Sequence, residues 1–405
     1  MHIPFCAGKC RYCDFYSLPI GGYPVINQRV NAGRRSSRDA LPDGGRGAVI
    51  NRPHVNQSLI DQYIDALGKE WGMYEGGGAA VDTVYVGGGT PSALSVEQWE
   101  RLDDRVFSRI GRERVVEWSV ECNPESFTIE KAQAYAKSGA TRLTFGVQSL
   151  NARELSICGR AHGAETAIEA VCGAGASGLF RSIGVDIIYA LPGQTANALD
   201  STLSPLLSIE SIKHLSAYEL TIAEGTPFGR RKSALRLPPE EAVAEMYGLI
   251  GTRCAERGMA RYEVSNYAAY GFESVHNKAY WSHKPYIGLG ASAHSYAHPR
   301  RWGNVADVNR YISLISLGKR AIGFEESLSP WELAEEIIFL GLRHAGGIDE
   351  DGFEARTGIR LCADGRGERL LGYVDSGLLK RAGRRWVPTP NGMLFADMMA
   401  RGLLG

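Results

Sequence analysis

VDTVYVGGGTP (residues 81–91) runs from an apolar, β-rich segment directly into three glycines. Such a run reads as a buried strand closed by a tight turn. Three successive residues without a Cβ let the backbone approach a neighbour or a ligand. The glycines do not match the GxGxxG spacing of a dinucleotide-binding loop. Beyond the turn, SVEQWERLDDRVFSRI (95–110) has helical spacing and opens with Ser95 and Gln98 as a capping-box pair. The alternation then repeats. VVEWSVE (115–121), RLTFGVQS (142–149), RSIGVDIIYALPG (181–193) and HLSAYELT (214–221) read as strands. TIEKAQAYAKSG (128–139), ETAIEAVCGAG (165–175), a stretch near 197–209 and residues 239–257 read as helices. Strands alternating with helices over about 200 residues predict parallel βα units. A closed or partly closed barrel and a doubly wound sheet both fit, although several strands are half polar. Either architecture gathers ligand chemistry at the C-terminal ends of strands. Gly87, Gly88, Gly89, Thr90, Glu121, Gln148 and the YALPG segment fall there.

The chain has 405 residues, with 45 Lys and Arg balanced by 45 Asp and Glu. A bulk basic footprint for nucleic acid is therefore absent, and no nucleic-acid partner is expected. No apolar run approaches the roughly 20 residues of a membrane helix. The opening MHIPFCAGKC has neither a basic n-region nor an apolar h-region, so a cytoplasmic protein is expected. Past about residue 260 the pattern changes to RYEVSNYA, HNKAYW and IGLGASAHSY, dense in aromatic, His and Gly residues. WELAEEIIFLGLR, ERLLGYVDSGLL and GMLFADMMARGLL then predict a small, mainly helical C-terminal domain. The expected organisation is a barrel over 1–238, a connecting segment over 239–325 and the helical domain over 326–405. Residues 19–57 carry six Arg and no Lys among many Gly, Pro, Asn and Ser. They read as a disordered insertion, with an Arg-rich lid or docking arm for an anionic partner as the sharper alternative.

Cys6, Cys10 and Cys13 lie within eight positions, while the other five cysteines are scattered. Clustered thiols without an export signal point to a metal site rather than disulfides. Thiolates suit zinc or an iron–sulfur cluster. A closed zinc site wants four ligands, and no fourth Cys lies near. Three thiolates would leave one iron of a [4Fe–4S] cluster open to a chelating substrate.

The CX3CX2C spacing, with Tyr12 before the last Cys, resembles the radical SAM superfamily. HIPFC, VYVGGGTPS, ECNPES, FGVQSLN, GRAH, DIIYALPGQT, EGTPF, RYEVSNYA, HNKAYW and GLGASAHSY extend the resemblance over nearly the whole chain. They are similar to the oxygen-independent coproporphyrinogen III oxidase-like family. The resemblance implies an incomplete (β/α)6 barrel with a small C-terminal domain. It implies a [4Fe–4S] cluster on Cys6, Cys10 and Cys13, whose open iron chelates the amino and carboxylate groups of S-adenosylmethionine. The reduced cluster then splits the sulfonium to a 5′-deoxyadenosyl radical. Gly87, Gly88, Gly89 and Thr90 match the turn that contacts the methionyl amino group. Glu121 matches the ribose-binding carboxylate, and Gln148, Arg160 and Asp186 match the remaining contacts.

Within this family the decarboxylating oxidases carry a further Cys two positions after the third cluster Cys, where this chain has Phe15. They also carry a longer N-terminal extension. Both departures favour the heme-chaperone branch, whose HNxxYW motif is linked to heme and stands here as His276 to Trp281. A neutral imidazole is a good axial ligand for heme iron, and Tyr and Trp offer flat apolar area to a macrocycle. Asn277 is expected to orient the ring. A packed aromatic turn with a hydrogen-bonded His276 is the bland alternative; His294 is a second, more structural histidine. The resemblance implies delivery of heme to acceptors such as respiratory hemoproteins, an electron donor for the cluster, a homodimer, and work at the cytoplasmic membrane face. The alternative function is oxidative decarboxylation of coproporphyrinogen III. Relatives carry a few residues before HIPFC, so the first barrel strand is expected to be truncated here.

Overall fold

Six strands lie side by side and parallel: His2–Ile3, Thr83–Gly88, Glu117–Cys122, Arg142–Gln148, Ser182–Tyr189 and Ile212–Glu219. Asn266–Ala269 joins the last of them antiparallel, and Met259–Arg261 lies beyond it at the edge. The computed structural model describes residues 1–20, 55–75 and 80–404. Helices Val96–Arg105, Ile129–Ser138, Ala164–Ala176, Ala196–Ser208 and Glu240–Glu256 alternate with the strands, and the architecture is an incomplete (β/α)6 barrel. The first strand has two residues, whose partners are Gly87 and Gly88.

Local chemistry sets the helix ends. Ser95 and Gln98 form a reciprocal capping box. Thr128 accepts from Lys131 N–H, and Gly139 ends that helix at φ 112°. Helix Gln57–Glu75, which the sequence reading did not include although Ile60, Tyr63, Ile64 and Leu67 stand at helical spacing, buries those four residues in the barrel core.

The half-polar strands arise from the period of two along a strand. Val84, Val86, Trp118, Val120, Leu143, Phe145, Ile183, Val185 and Leu215 are buried in one core with helical residues such as Leu102, Val171 and Leu199. The alternate positions are Thr83, Tyr85 and Gly87, Glu117, Ser119 and Glu121, Arg142 and Thr144, Ser182 and Asp186, and His214 and Ser216. That second, polar set includes the candidate site residues Glu121 and Asp186.

Residues Met246 to Ala321 contribute to the same core as the barrel. A second core, with Ile338, Leu342, Phe353, Leu370, Trp386 and Met399, lies in the C-terminal region. That region is mainly helical, with a three-stranded antiparallel sheet of Ile348–Asp349, Leu379–Ala382 and Arg385–Pro388 that the helical expectation did not include. Most of the Arg-rich insertion, residues 21–54, lies outside the described residues; at its flanks Ile20 bridges Val55. Among the described residues no helix is long and apolar enough to cross a membrane.

Candidate functional site

The three cysteines sit on a loop pinned at both ends. Phe5–Cys6 pairs parallel with Leu18–Pro19. Lys9 Nζ donates to Ser17 Oγ at 3.2 Å and to the Phe15 carbonyl. Midway, Arg11 N–H donates to the Cys158 carbonyl at 2.9 Å, and its own carbonyl accepts from Phe228 N–H at 3.0 Å. All three thiols are free and half-buried. Burial pushes the Cys6 and Cys13 thiols up from their ordinary value. Among the described residues no three His, Cys, Asp or Glu side chains are grouped to hold one metal ion. Tetrahedral zinc would need sulfurs about 4 Å apart, whereas a four-iron cube accepts thiolates spread more widely. Three soft thiols on one loop are one ligand short of a closed zinc site and equal in number to the thiolates of a cluster with one open iron.

The glycine turn lies directly against this loop. Gly89 N–H donates to the Ile3 carbonyl at 3.0 Å and Thr90 N–H to the Phe5 carbonyl at 2.8 Å. Thr90 Oγ1 is 3.4 Å from Cys6 Sγ. Gly88 has φ 102°, and a Cβ there would fall 1.8 Å from the His2 ring. A Cβ on Gly87 would strike the Glu121 carboxylate at 2.6 Å. Gly87 N–H donates to the Met1 carbonyl and Gly88 N–H to Glu121 Oε2 at 3.0 Å. The fold itself therefore occupies all three glycine N–H groups.

A hydrogen-bonded chain joins two of the thiol positions. Arg160 Nη1 is 3.4 Å from Cys10 Sγ, while Nη2 donates to the Gly146 carbonyl at 2.6 Å and to Asn123 Oδ1 at 2.8 Å. Asn123 Nδ2 in turn donates to Thr90 Oγ1 at 3.1 Å. Gln148, at φ 68°, folds its amide towards Gly146, beside Asn123 and Arg160. Glu121 also accepts from Tyr85 Oη at 2.5 Å, and burial raises its pKa. Burial pushes Asp186 up to about 7, with the Ser216 hydroxyl opposing and the Glu121 charge adding. Among the described residues Asp186 Oδ1, Ser119 Oγ and Arg160 Nε have no hydrogen-bond partner. Buried polar atoms are normally satisfied, so these three suit the hydroxyl and amino groups of a nucleoside ligand.

His276 stands apart from the thiols, on the short helix Val275–Trp281. Glu117, from the interior of the barrel, accepts from Ser274 Oγ and from the N–H groups of Val275 and His276 at 2.9 to 3.0 Å. It also pairs with Arg142 at 3.1 Å, both side chains being buried. The His276 ring bonds through Nδ1 to Thr83 Oγ1 at 2.7 Å and through Nε2 to Tyr280 Oη at 2.9 Å. Burial, then the nearby Met1 α-amino charge, lowers its pKa to about 4, so the ring is neutral. The orienting role expected of Asn277 belongs to Thr83 and Tyr280; the backbone N–H of Asn277 caps the helix through Ser274. His294 is exposed, with its ring 5.4 Å from Phe324. A cavity of about 860 Å³ includes Gly87, Gly88, Tyr85, His276, Tyr280 and Phe15 in its wall.

Thr83, Tyr85, Glu117 and Asn123 escape a reading of the sequence by motif. The period of two in VDTVYVGG puts Thr83 and Tyr85 on the face of Gly87, a signal sufficient to find both. Asn123 lies in the quoted ECNPES segment. The same period puts Glu117 on the face of Glu121, but nothing local marks its role, since its partners come from residues 142 and 274–276.

The radical SAM superfamily profile matches residues 1–205, and the HemN C-terminal domain profile matches residues 328–395. The coproporphyrinogen III oxidase (HemN) of Escherichia coli, a radical SAM enzyme, superposes with a TM-score of 0.77 at 19% identity, covering 99% of this chain and 88% of that one. Fold and matched segments define a radical SAM protein. Its curated relatives include the heme chaperone HemW of Bacillus subtilis (strain 168), 31% identical over 100% of this chain and 98% of that protein. HemW of Lactococcus lactis subsp. lactis (strain IL1403) is 34% identical over 87% of this chain and 83% of the relative. HemW of Escherichia coli (strain K12) is 31% identical over 98% and 96%. The chain belongs to the radical SAM superfamily and, within it, to the oxygen-independent coproporphyrinogen III oxidase-like family that includes these HemW chaperones.

Proposed function

We propose that this protein binds heme and passes it to acceptor hemoproteins, on a scaffold that carries a [4Fe–4S] cluster and S-adenosylmethionine. The observation that carries the reading is one cavity of about 860 Å³ that includes both the Gly87–Gly88 turn and His276. That volume lies in the range of cofactor sites.

Cys6, Cys10 and Cys13 would hold the cluster, which when bound supplies an open iron for the amino and carboxylate groups of adenosylmethionine and an electron for cleaving its sulfonium. Glu121 has the acceptor capacity for ribose hydroxyls. Asp186 and Ser119 offer oxygens that have no partner among the described residues. Gln148 and Arg160 complete the wall, with Arg160 also reaching Cys10. Thr83 holds Nδ1 of His276, which leaves Nε2 as the nitrogen for heme iron once it turns from Tyr280. Respiratory hemoproteins are the proposed acceptors, and a reductant for the cluster is a further partner. Phe15 is 64% exposed and lines the cavity where a decarboxylating relative would carry Cys; it supports the chaperone reading over coproporphyrinogen III turnover.

The test is anaerobic reconstitution with iron and sulfide, then absorbance and electron paramagnetic resonance, then hemin titration at the Soret band. Wild type is expected to bind hemin, and His276→Ala to bind it at least about tenfold more weakly. Conversion of coproporphyrinogen III with consumption of adenosylmethionine would overturn the reading. Unchanged hemin affinity in His276→Ala would remove that residue from the site.

A further inference from the structure

We infer that Lys284 is a carboxylate clamp at the rim of the His276 cavity, selecting a macrocycle with free acid side chains over a neutral one. The inference depends on the heme reading above and extends it to a residue outside the HNKAYW segment.

Lys284 is the sole Lys or Arg among the described residues that line the 860 Å³ cavity. Its side chain is exposed, and among the described residues its Nζ has no hydrogen bond and no ion pair within 4.0 Å. The neighbouring cavity of about 480 Å³ shares Tyr280, Lys284, Tyr286 and Tyr296 with the first. The other cation there, Arg301, is already paired with Glu326 and Glu336. Lys284 is thus the uncommitted positive charge at the wall between the two.

Its mount is rigid. Lys284 N–H donates to the Ala279 carbonyl at 2.9 Å, closing the end of the His276 helix. On one side His283 is tied through Nε2 to Glu336 and through Nδ1 to Arg356, both at 2.7 Å. On the other, Tyr286 and Tyr296 exchange backbone hydrogen bonds at 2.9 and 3.0 Å. A fixed backbone carrying a mobile four-carbon stem places an ammonium at the rim without fixing its tip. A planar ligand whose iron meets His276 would lay its apolar faces on Tyr280 and Tyr286 and keep its carboxylates in water. The ammonium has three donors and no acceptor, so it favours a carboxylate and gives a neutral ester group no charge attraction.

The test titrates hemin and hemin dimethyl ester into wild type, Lys284→Met and Lys284→Arg. Lys284→Met is expected to weaken hemin about tenfold and leave the ester unchanged, with Lys284→Arg restoring the preference. The difference should shrink at about 1 M salt, because the contact is exposed. Wild type that binds hemin, with Lys284→Met binding it equally well or losing hemin and ester alike, overturns the clamp alone. Wild type that binds neither macrocycle overturns the heme reading and the clamp with it.

Discussion

The ring of Tyr85 lies against the imidazole of His276, with centroids 5.0 Å apart and planes 19° from parallel. The hydroxyl of the same tyrosine donates to Glu121. One side chain therefore touches the carboxylate proposed for the nucleoside and the histidine proposed for heme. Ribose hydroxyls arriving at Glu121 would compete with Tyr85 for its oxygens, and any shift of the phenol is felt by the stacked ring. Binding of adenosylmethionine and hemin should be coupled, with the same factor seen from either ligand. We expect saturating adenosylmethionine to change hemin affinity several-fold in wild type. In Tyr85→Phe, which keeps the stack and loses the hydrogen bond, the factor should fall towards one. Soret titrations with and without adenosylmethionine measure both ratios; equal ratios in the two proteins would exclude this route.

Glu117 links barrel and histidine helix from below. It accepts three donors from Ser274, Val275 and His276 and neutralises buried Arg142. Removing one partner of a buried pair leaves an uncompensated charge, which costs about 3–5 kcal/mol. Glu117→Ala should lower the urea midpoint accordingly and weaken hemin binding, because the helix loses its cap. A double variant, Glu117→Leu with Arg142→Met, should recover the part of the stability lost to the uncompensated charge, but neither the part owed to the three donors nor the hemin affinity. Recovery of both would mean that the carboxylate serves only to balance Arg142.

Tyr85 and Glu117 also mark the limit of what local sequence carries. Most strands and helices between residues 83 and 256 are legible because hydrophobic period and caps such as Ser95–Gln98 and Gly139 are local, while the seven-residue helix Ala152–Cys158 is too short to show a period and is missed. Of the positions proposed for the nucleoside, Gly87 to Thr90, Glu121 and Gln148 fall where strands end in a parallel βα fold, whereas Arg160 and Asp186, the latter inside strand Ser182–Tyr189, come only from the family resemblance. Glu117 is not legible, since its partners are 25 to 159 residues away. Helix Gln57–Glu75 carries its own period at Ile60, Tyr63, Ile64 and Leu67, and is missed only when its first residue is counted with the patternless insertion before it. The half-polar strands that weaken a barrel reading have a simple cause: one face packs on helices and the other carries the polar interior.

Asp186 gives a pH test. Its ordinary value is 3.8 and burial raises it to about 7. Between those values the folded protein keeps a proton that the unfolded chain has released, so the group's contribution to stability falls as pH rises from about 4 to 7 and is level above. Asp186→Asn removes that penalty. Relative to wild type, the variant should gain about 1–3 kcal/mol between about pH 4 and pH 8, a discounted figure because the side chain is only half-buried. Its adenosylmethionine affinity should fall. Denaturant melts across this range check the sign; a gain that is largest at the acid end would contradict the raised pKa.

Two glycine-to-alanine changes should act in opposite directions. At Gly88 the backbone has φ 102° and a Cβ would meet His2 Cδ2 at 1.8 Å. The His2 ring is held by the Ala291 carbonyl through Nδ1 at 2.5 Å, and Tyr63 Oη donates to the His2 carbonyl at 2.8 Å. Displacing that ring pulls on the first strand, which leads directly into the cysteine loop. Gly88→Ala is expected to cost about 2 kcal/mol or more, and to lower the iron bound per chain after reconstitution. Gly248 lies inside helix Glu240–Glu256, with nothing within 4 Å of an added Cβ. There alanine should stabilise by about 0.5–1 kcal/mol through helix propensity alone, with iron content unchanged. Thermal unfolding and iron assay on the two variants separate a strained turn beside the cysteine loop from a general tolerance of added methyl groups: if Gly88→Ala matches wild type in both, the close packing of His2 on the turn does not support the loop.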